Sequence, residues 1–201
     1  DKEKRACTSM GVCDPFRFEE LPQVKTKVYH FAGLVYGDFD GTLLAEAAKH
    51  GKNVYCEKPL CFTTEQAEEL EKLVKETGKV MFVSYGYSGH QMIEQARQMV
   101  ARGDLGKIRI INMQFAHGGN NVAVEKKAES QAWRVDPKKA GPAFSMGDVG
   151  THMLYLTEAI CPQLNIKRVM CSKQSFVEGR ELEDNAMSIM EYDNGAIGYI
   201  W

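Results

Sequence analysis

Asn53-Val-Tyr-Cys-Glu-Lys-Pro59, then Thr63 to Gly78, then Val80-Met-Phe-Val-Ser84, is the stretch that decides the fold. The first segment is short and carries apolar, β-branched and aromatic residues, so it reads as a strand over Asn53–Glu57. Thr63 or Thr64 caps a helix whose apolar positions Ala67, Leu70, Leu73 and Val74 recur at helical spacing. Gly78 stops that helix, and Val80–Ser84 reads as the next strand. Upstream, Val28–Ala32 reads as a further strand, and Thr42–His50 as a helix closed by Gly51. Strands alternating with helices and tight glycine stops predict right-handed crossovers and a parallel sheet. Ligands of such sheets lie beyond the carboxyl ends of the strands, and Glu57-Lys58 falls there.

After Tyr87 the pattern changes. Met92–Arg102 reads as a helix ending at Gly103, and Lys107–His117 as a long alternating strand. Residues 118–146 read as a long loop, Asp148–Ile160 as a helix, and Ile166–Val177, Asn185–Tyr192 and Ala196–Trp201 as strands. Asp193-Asn194-Gly195 is a hairpin signal between the last two. The second half therefore reads as an antiparallel sheet with helices on one face. The expected class is α/β: a partial Rossmann-type parallel sheet in residues 1–87, then an α+β domain with a mostly antiparallel open sheet in residues 88–201. An apolar last strand left unpaired would be an aggregation hazard, so sequence beyond Trp201 is expected. The chain does not begin with Met, so sequence before Asp1 is expected too.

The 25 Lys+Arg against 27 Asp+Glu give a net charge of −2, with no basic stripe, which argues against nucleic acid as a partner. No apolar run approaches the ~18 residues that a membrane span needs. The six cysteines show neither C-x-x-C nor Cys/His metal spacing, so they read as buried, reduced thiols with no metal. That pattern suits a cytoplasmic protein.

Lys58, at the mouth of the sheet, can hold a developing alkoxide by charge and hydrogen bond. It also reads as a solvated strand-end lysine. Asp148 and His152, in Gly147-Asp-Val-Gly-Thr-His152, are four residues apart at an expected helix start and so share one face. The helix N-terminus favours the neutral imidazole and the carboxylate favours the protonated one, a balance that suits a general acid/base. The plainer alternative is a capping Asp beside a core His. Trp133-Arg134 can offer an aromatic face and a fork of donors to a phosphate or sugar, or simply anchor the loop. Tyr85 and Tyr87 can hydrogen-bond a polyol, or serve as packing. His90 and His117 lie near the same region, and His50 reads as a helix-end cation. No G-x-G-x-x-G, P-loop, nucleophile elbow or H-E-x-x-H occurs.

Gly51-Lys-Asn-Val-Tyr-Cys-Glu-Lys-Pro-Leu60, Tyr85-Gly-Tyr-Ser-Gly89, Ala96–Ile108, Trp133–Pro137, Gly147–His152 and Leu182-Glu-Asp-Asn185 together resemble the Gfo/Idh/MocA family of NAD(P)-dependent oxidoreductases. The resemblance covers roughly residues 43–201. It implies a Rossmann domain followed by an α/β domain with a large open sheet, NAD or NADP as cofactor, and hydride transfer to or from a sugar, cyclitol or related hydroxyl. By motif, Lys58 would be the substrate-binding and proton-relay lysine, Asp148 would orient substrate and His152 would be the acid/base. Glu57 would lie near the nicotinamide, Trp133 and Arg134 near cofactor or substrate, and Tyr85 and Tyr87 near substrate. The family's first strand and glycine-rich phosphate loop would precede Asp1, and its Thr-Pro-Asn turn is replaced by Phe31–Asp40. The 201 residues alone are therefore expected to bind dinucleotide poorly and turn over little. Face-to-face homo-oligomerisation of the antiparallel sheet is also implied. The rival readings are a non-catalytic dinucleotide- or sugar-sensing relative and an oligomerisation fragment.

Overall fold

The structure, a computed structural model, describes residues 28–31, 48–116, 118 and 133–201. They fall into two compact units, one ending at Ser84 and the other beginning at Tyr85. No helix among the described residues is long and apolar enough to cross a membrane.

In the first unit, β1 (Val28–Phe31), β2 (Asn53–Glu57) and β3 (Met81–Ser84) form a sheet of order β1-β2-β3, parallel throughout. Helix α1 (Thr64–Thr77) connects β2 to β3. This is the parallel arrangement that the strand–helix–strand pattern predicts. Of the helix expected over Thr42–His50, residues 48 and 49 are helical and the earlier part lies outside the described residues, as do residues 1–27. Val54 and Cys56 are two residues apart in β2, so they share a face, and both are buried. On the opposite face Tyr55 stacks on its cross-strand neighbour Phe82 at 5.0 Å, and its hydroxyl donates to Ser84 Oγ at 3.0 Å.

Helix α1 begins with a capping box: Gln66 N–H donates to Thr63 Oγ1 at 3.3 Å, and Gln66 Oε1 accepts from Thr63 N–H at 3.1 Å. It ends at Gly78 with φ 62°, a left-handed conformation that glycine adopts without steric cost. Thr63→Ala should therefore lower the stability of this unit by ~1 kcal/mol. Urea denaturation checks this, and an unchanged midpoint would show that the box contributes nothing.

The second unit begins with a 3-10 turn over Gly86–Gly89, then α2 (Gln91–Arg102) and β4 (Ile110–Met113). A 3-10 turn (Trp133–Val135), α3 (Pro137–Ala140) and a π-helical turn (Met146–Gly150) lead into α4 (Thr151–Ile160). Strands β5 (Ile166–Gln174), β6 (Asn185–Tyr192) and β7 (Ile197–Ile200) follow. Sheet order is β4-β7-β6-β5, with β7 antiparallel to β6, β6 antiparallel to β5, and β4 parallel to β7. The hairpin turn is where the sequence predicts it. Gly195 takes φ 83°, and Asn194 Oδ1 accepts from Ala196 N–H at 2.8 Å.

Alternation along β6 buries Ala186, Ser188, Met190 and Tyr192. Met190, Tyr192, Ala196 and Ile200 join Met153, Cys161 and Leu164 in one core, against which Val100 of α2 and Leu154 of α4 pack. The other face is open: Met170, Met187, Ile189 and Tyr199 are all exposed there.

Three expectations are corrected. The strand predicted over Lys107–His117 is shorter, Ile110–Met113, and it runs parallel to β7; the sheet is mixed and, as expected, mostly antiparallel. The last strand is not an unpaired edge. It lies between β6 and β4, and Trp201 N–H donates to Met113 O at 3.1 Å while Phe115 N–H donates to Trp201 O at 2.8 Å. The edge argument drawn from its apolar residues therefore does not hold. Nor are all the described cysteines buried: Cys56 and Cys161 are, whereas Cys171 is exposed on the β5 edge strand. Burial, reinforced by Glu57, pushes the Cys56 thiol up to about 12. Only the thiolate is nucleophilic, so iodoacetamide at pH 8 should alkylate the Cys171 peptide and spare the Cys56 peptide. Equal labelling of the two in the folded protein would contradict this.

Candidate functional site

Each unit carries part of the expected set. In the first, Glu57 ends β2 and lies in register with Ser84 at the end of β3, so both stand on the carboxyl edge of the parallel sheet. Lys58 follows directly, before a cis Lys58–Pro59 peptide. Parallel sheets of this kind present their ligands at that edge, and Glu57 and Lys58 stand on it. No glycine-rich phosphate turn occurs among the described residues.

In the second unit, His152 lies in the first turn of α4. Its ring meets Tyr87 at 4.6 Å and 66°, and Tyr85 at 6.0 Å and 88°, both in edge-to-face geometry. Edge-to-face contact is a favoured arrangement for aromatic pairs. The supports of these tyrosines come from the same helix and from the adjoining turn. Tyr85 stacks on Tyr155 at 4.0 Å, and its hydroxyl lies 3.0 Å from Thr151 Oγ1. The Ser88 hydroxyl donates to the Tyr85 carbonyl at 2.8 Å, which tightens the 3-10 turn carrying Tyr87. Phe115 and His90 complete the ring at 5.7 and 6.3 Å from Tyr87. Thr151 and Tyr155 are the partners that sequence reading missed. Their signal was present: they are four residues apart and flank His152, which puts them on the helix side facing Tyr85.

Asp148 lies within the π-helical turn, and its N–H donates to Phe144 O at 2.8 Å. Asp148 Oδ2 lies 3.5 Å from Arg134 Nε, with both side chains about one-third exposed. The structure thus brings Arg134 beside Asp148, and Tyr85 and Tyr87 against His152. Trp133 opens the turn that carries Arg134, but its side chain and all of His117 lie outside the described residues.

One sequence argument is overturned here. Asp148 does not begin the helix: helical geometry starts at Ser145, and the π-turn intervenes. His152 therefore lies beyond the first turn of the continuous helical segment. The positive end of a helix acts over only about the first turn, so it does not bear on the imidazole as supposed. The ring contacts of His152 are with Tyr87 and Tyr85. Single π-turns inside α-helices recur at functional positions.

A parallel sheet with residues at its ligand edge is followed by a mixed sheet with a histidine-bearing helix. The chain belongs to the Gfo/Idh/MocA family: residues 93–201 match its C-terminal domain, and residues 33–85 match the oxidoreductase family's NAD-binding Rossmann fold. The Bacillus subtilis oxidoreductase YfiI is 45% identical over 157 residues, covering 77% of this chain and 40% of that protein. An inositol dehydrogenase homolog from Azotobacter vinelandii, crystallised with NAD+, is 49% identical with a TM-score of 0.83, over 87% of this chain and 45% of that one. An Azotobacter vinelandii inositol dehydrogenase homolog in complex with NADH and myo-inositol is 46% identical with a TM-score of 0.77, over 87% and 44%. The chain thus spans less than half the length of these relatives.

Proposed function

We propose that this chain forms part of an enzyme transferring hydride between NAD(P) and a sugar, cyclitol or related hydroxyl compound. The N-terminal part would serve the dinucleotide and the C-terminal part the substrate. The observation that carries this reading is the aromatic seat of His152 on α4, two residues after the π-turn, in a chain of an NAD-binding oxidoreductase family. A bound nicotinamide supplies the hydride acceptor. In alcohol oxidation His152 takes the hydroxyl proton while a C=O bond forms, and ketone reduction runs in reverse. Asp148, held by Arg134, orients the substrate. The hydroxyls of Tyr87 and Tyr85 are further hydrogen-bonding groups for a polyol. Lys58 holds an oxygen by charge, and Glu57 and Trp133 act on the cofactor side. The myo-inositol held by an Azotobacter relative favours the cyclitol class.

The intact protein, given NAD+ or NADP+ and a panel of polyols including myo-inositol, should accumulate reduced nicotinamide. Absence of turnover on every polyol with either cofactor would sink the reading. Lys58→Ala should lower kcat by ~10²–10⁴-fold, and a near-normal rate would remove Lys58 from the reaction. We also propose that the open sheet face is covered in a homo-oligomer, as its exposed Met170, Met187, Ile189 and Tyr199 favour. A clean monomer in sedimentation would count against that.

A further inference from the structure

The Phe144 N–H, the Met146 N–H and the Ser145 hydroxyl all converge on one carboxylate oxygen. Glu183 Oε1 accepts from the first two at 3.0 Å each and from Ser145 Oγ at 3.4 Å. The Ser145 N–H reaches the Glu183 carbonyl at 3.4 Å as well. Glu183 is 5% exposed and stands two residues before β6, so the acceptor comes from the rim of the sheet and not from the helix it serves.

The opening N–H groups of a helix have no internal acceptor, and their partial positive charge favours a carboxylate. Lys173 Nζ, 3.9 Å from Glu183 Oε2, adds a second positive charge. Burying an ionised side chain is nonetheless costly, and a Ser or Asp at the local cap position would satisfy such donors from the surface. What the remote carboxylate adds is location. It ties the start of this helical segment to the sheet, and Asp148 and His152 follow within the next two turns. Asp148 is linked directly, because its N–H bonds to the carbonyl of Phe144, the residue whose N–H Glu183 holds.

We propose that Glu183 is a positioning residue. By fixing where the π-turn starts, it sets where Asp148 and His152 point. The proposal rests on the roles proposed for those two side chains. Glu183→Gln keeps an acceptor oxygen of the same reach, whereas Glu183→Asp draws the carboxylate back by one methylene. Leu164→Ala, a core truncation beyond the far end of α4, controls for lost stability. In the intact protein Glu183→Asp should lower kcat by ~10–100-fold, as misplacement of reacting groups does, with KM within about threefold. Glu183→Gln should retain kcat within about threefold. The His152 imidazole NMR resonances should move in Glu183→Asp and stay in place in Leu164→Ala. An unchanged kcat in Glu183→Asp overturns the proposal, as does an equal fall in Leu164→Ala. Hydrogen exchange on the unmutated protein is a second check. The Phe144 and Met146 amides should be protected as well as that of Val149, and free exchange there overturns the proposal even if Glu183→Asp does not fold. Failure of the acid/base reading looks different: His152→Ala would leave kcat intact while Glu183→Asp still moved the imidazole resonances.

Discussion

His152→Ala in the intact protein is expected to lower kcat by ~10²–10⁴-fold. The imidazole is the side chain whose ordinary titration range spans neutral pH, which is what moving a hydroxyl proton requires. Its ring is held at 4.6 Å by Tyr87, so it is oriented before substrate arrives. Alanine removes the proton acceptor and leaves the Tyr85–Tyr155 stack and the Tyr85–Thr151 contact in place. The loss should therefore show in kcat far more than in stability. Oxidation of a polyol by the wild-type protein should also slow as pH falls and the base becomes protonated, and the alanine variant should lose that dependence. Steady-state kinetics across pH, with melting curves of both proteins, decide the matter. A variant that turns over normally removes His152 from the chemistry.

Asp184→Ala should cost about 1.5–3 kcal/mol, the range for hydrogen bonds to a charged group. Asp184 accepts from the Phe176 and Val177 N–H groups at 2.9 Å each and from Arg180 Nη1 at 3.2 Å. The Arg180 side chain is fully buried, with its guanidinium 5.6 Å from the centre of the Phe144 ring. Removing the carboxylate takes away the acceptor that two backbone donors and this guanidinium share. Asp184→Asn keeps one acceptor oxygen and should lose less. Urea unfolding of the three proteins measures the effect, and a loss below ~1 kcal/mol in Asp184→Ala would show that water replaces the carboxylate.

The local half of the architecture was legible in the sequence because local rules govern it. Thr63 and Gly78 bracket α1 through hydrogen bonds between near neighbours, and Asp193-Asn194-Gly195 specifies its own turn. The parallel β1-β2-β3 order follows from strand–helix–strand connections, which leave few alternatives. The strand limits of Asn53–Glu57 and Asn185–Tyr192 agree with the sequence reading for the same reason: each is an apolar run closed by turn residues. The partnership of β4 and β7 was not legible, since nothing in Ile110–Met113 says that its neighbour lies almost ninety residues later.

The candidate site divides in the same way. Asp148, His152, Tyr85, Tyr87 and Arg134 were found as residues because their chemistry is uncommon in such spacing. Their arrangement was not found. The i, i+4 spacing of Asp148 and His152 reads as a helix start, whereas helical geometry already begins at Ser145, under the Glu183 carboxylate from the segment just before β6.

The sequence by itself determined the family, the order of a parallel sheet followed by a mostly antiparallel one and the candidate groups for a proton transfer, because spacing and residue type are local properties. Only the tertiary structure decided which partners those groups have: Tyr87 against His152, Arg134 beside Asp148, Glu183 beneath the π-turn. Such contacts join residues that lie far apart along the chain. They are selected by how the two faces of a sheet and the sides of a helix pack, and no local pattern encodes that choice.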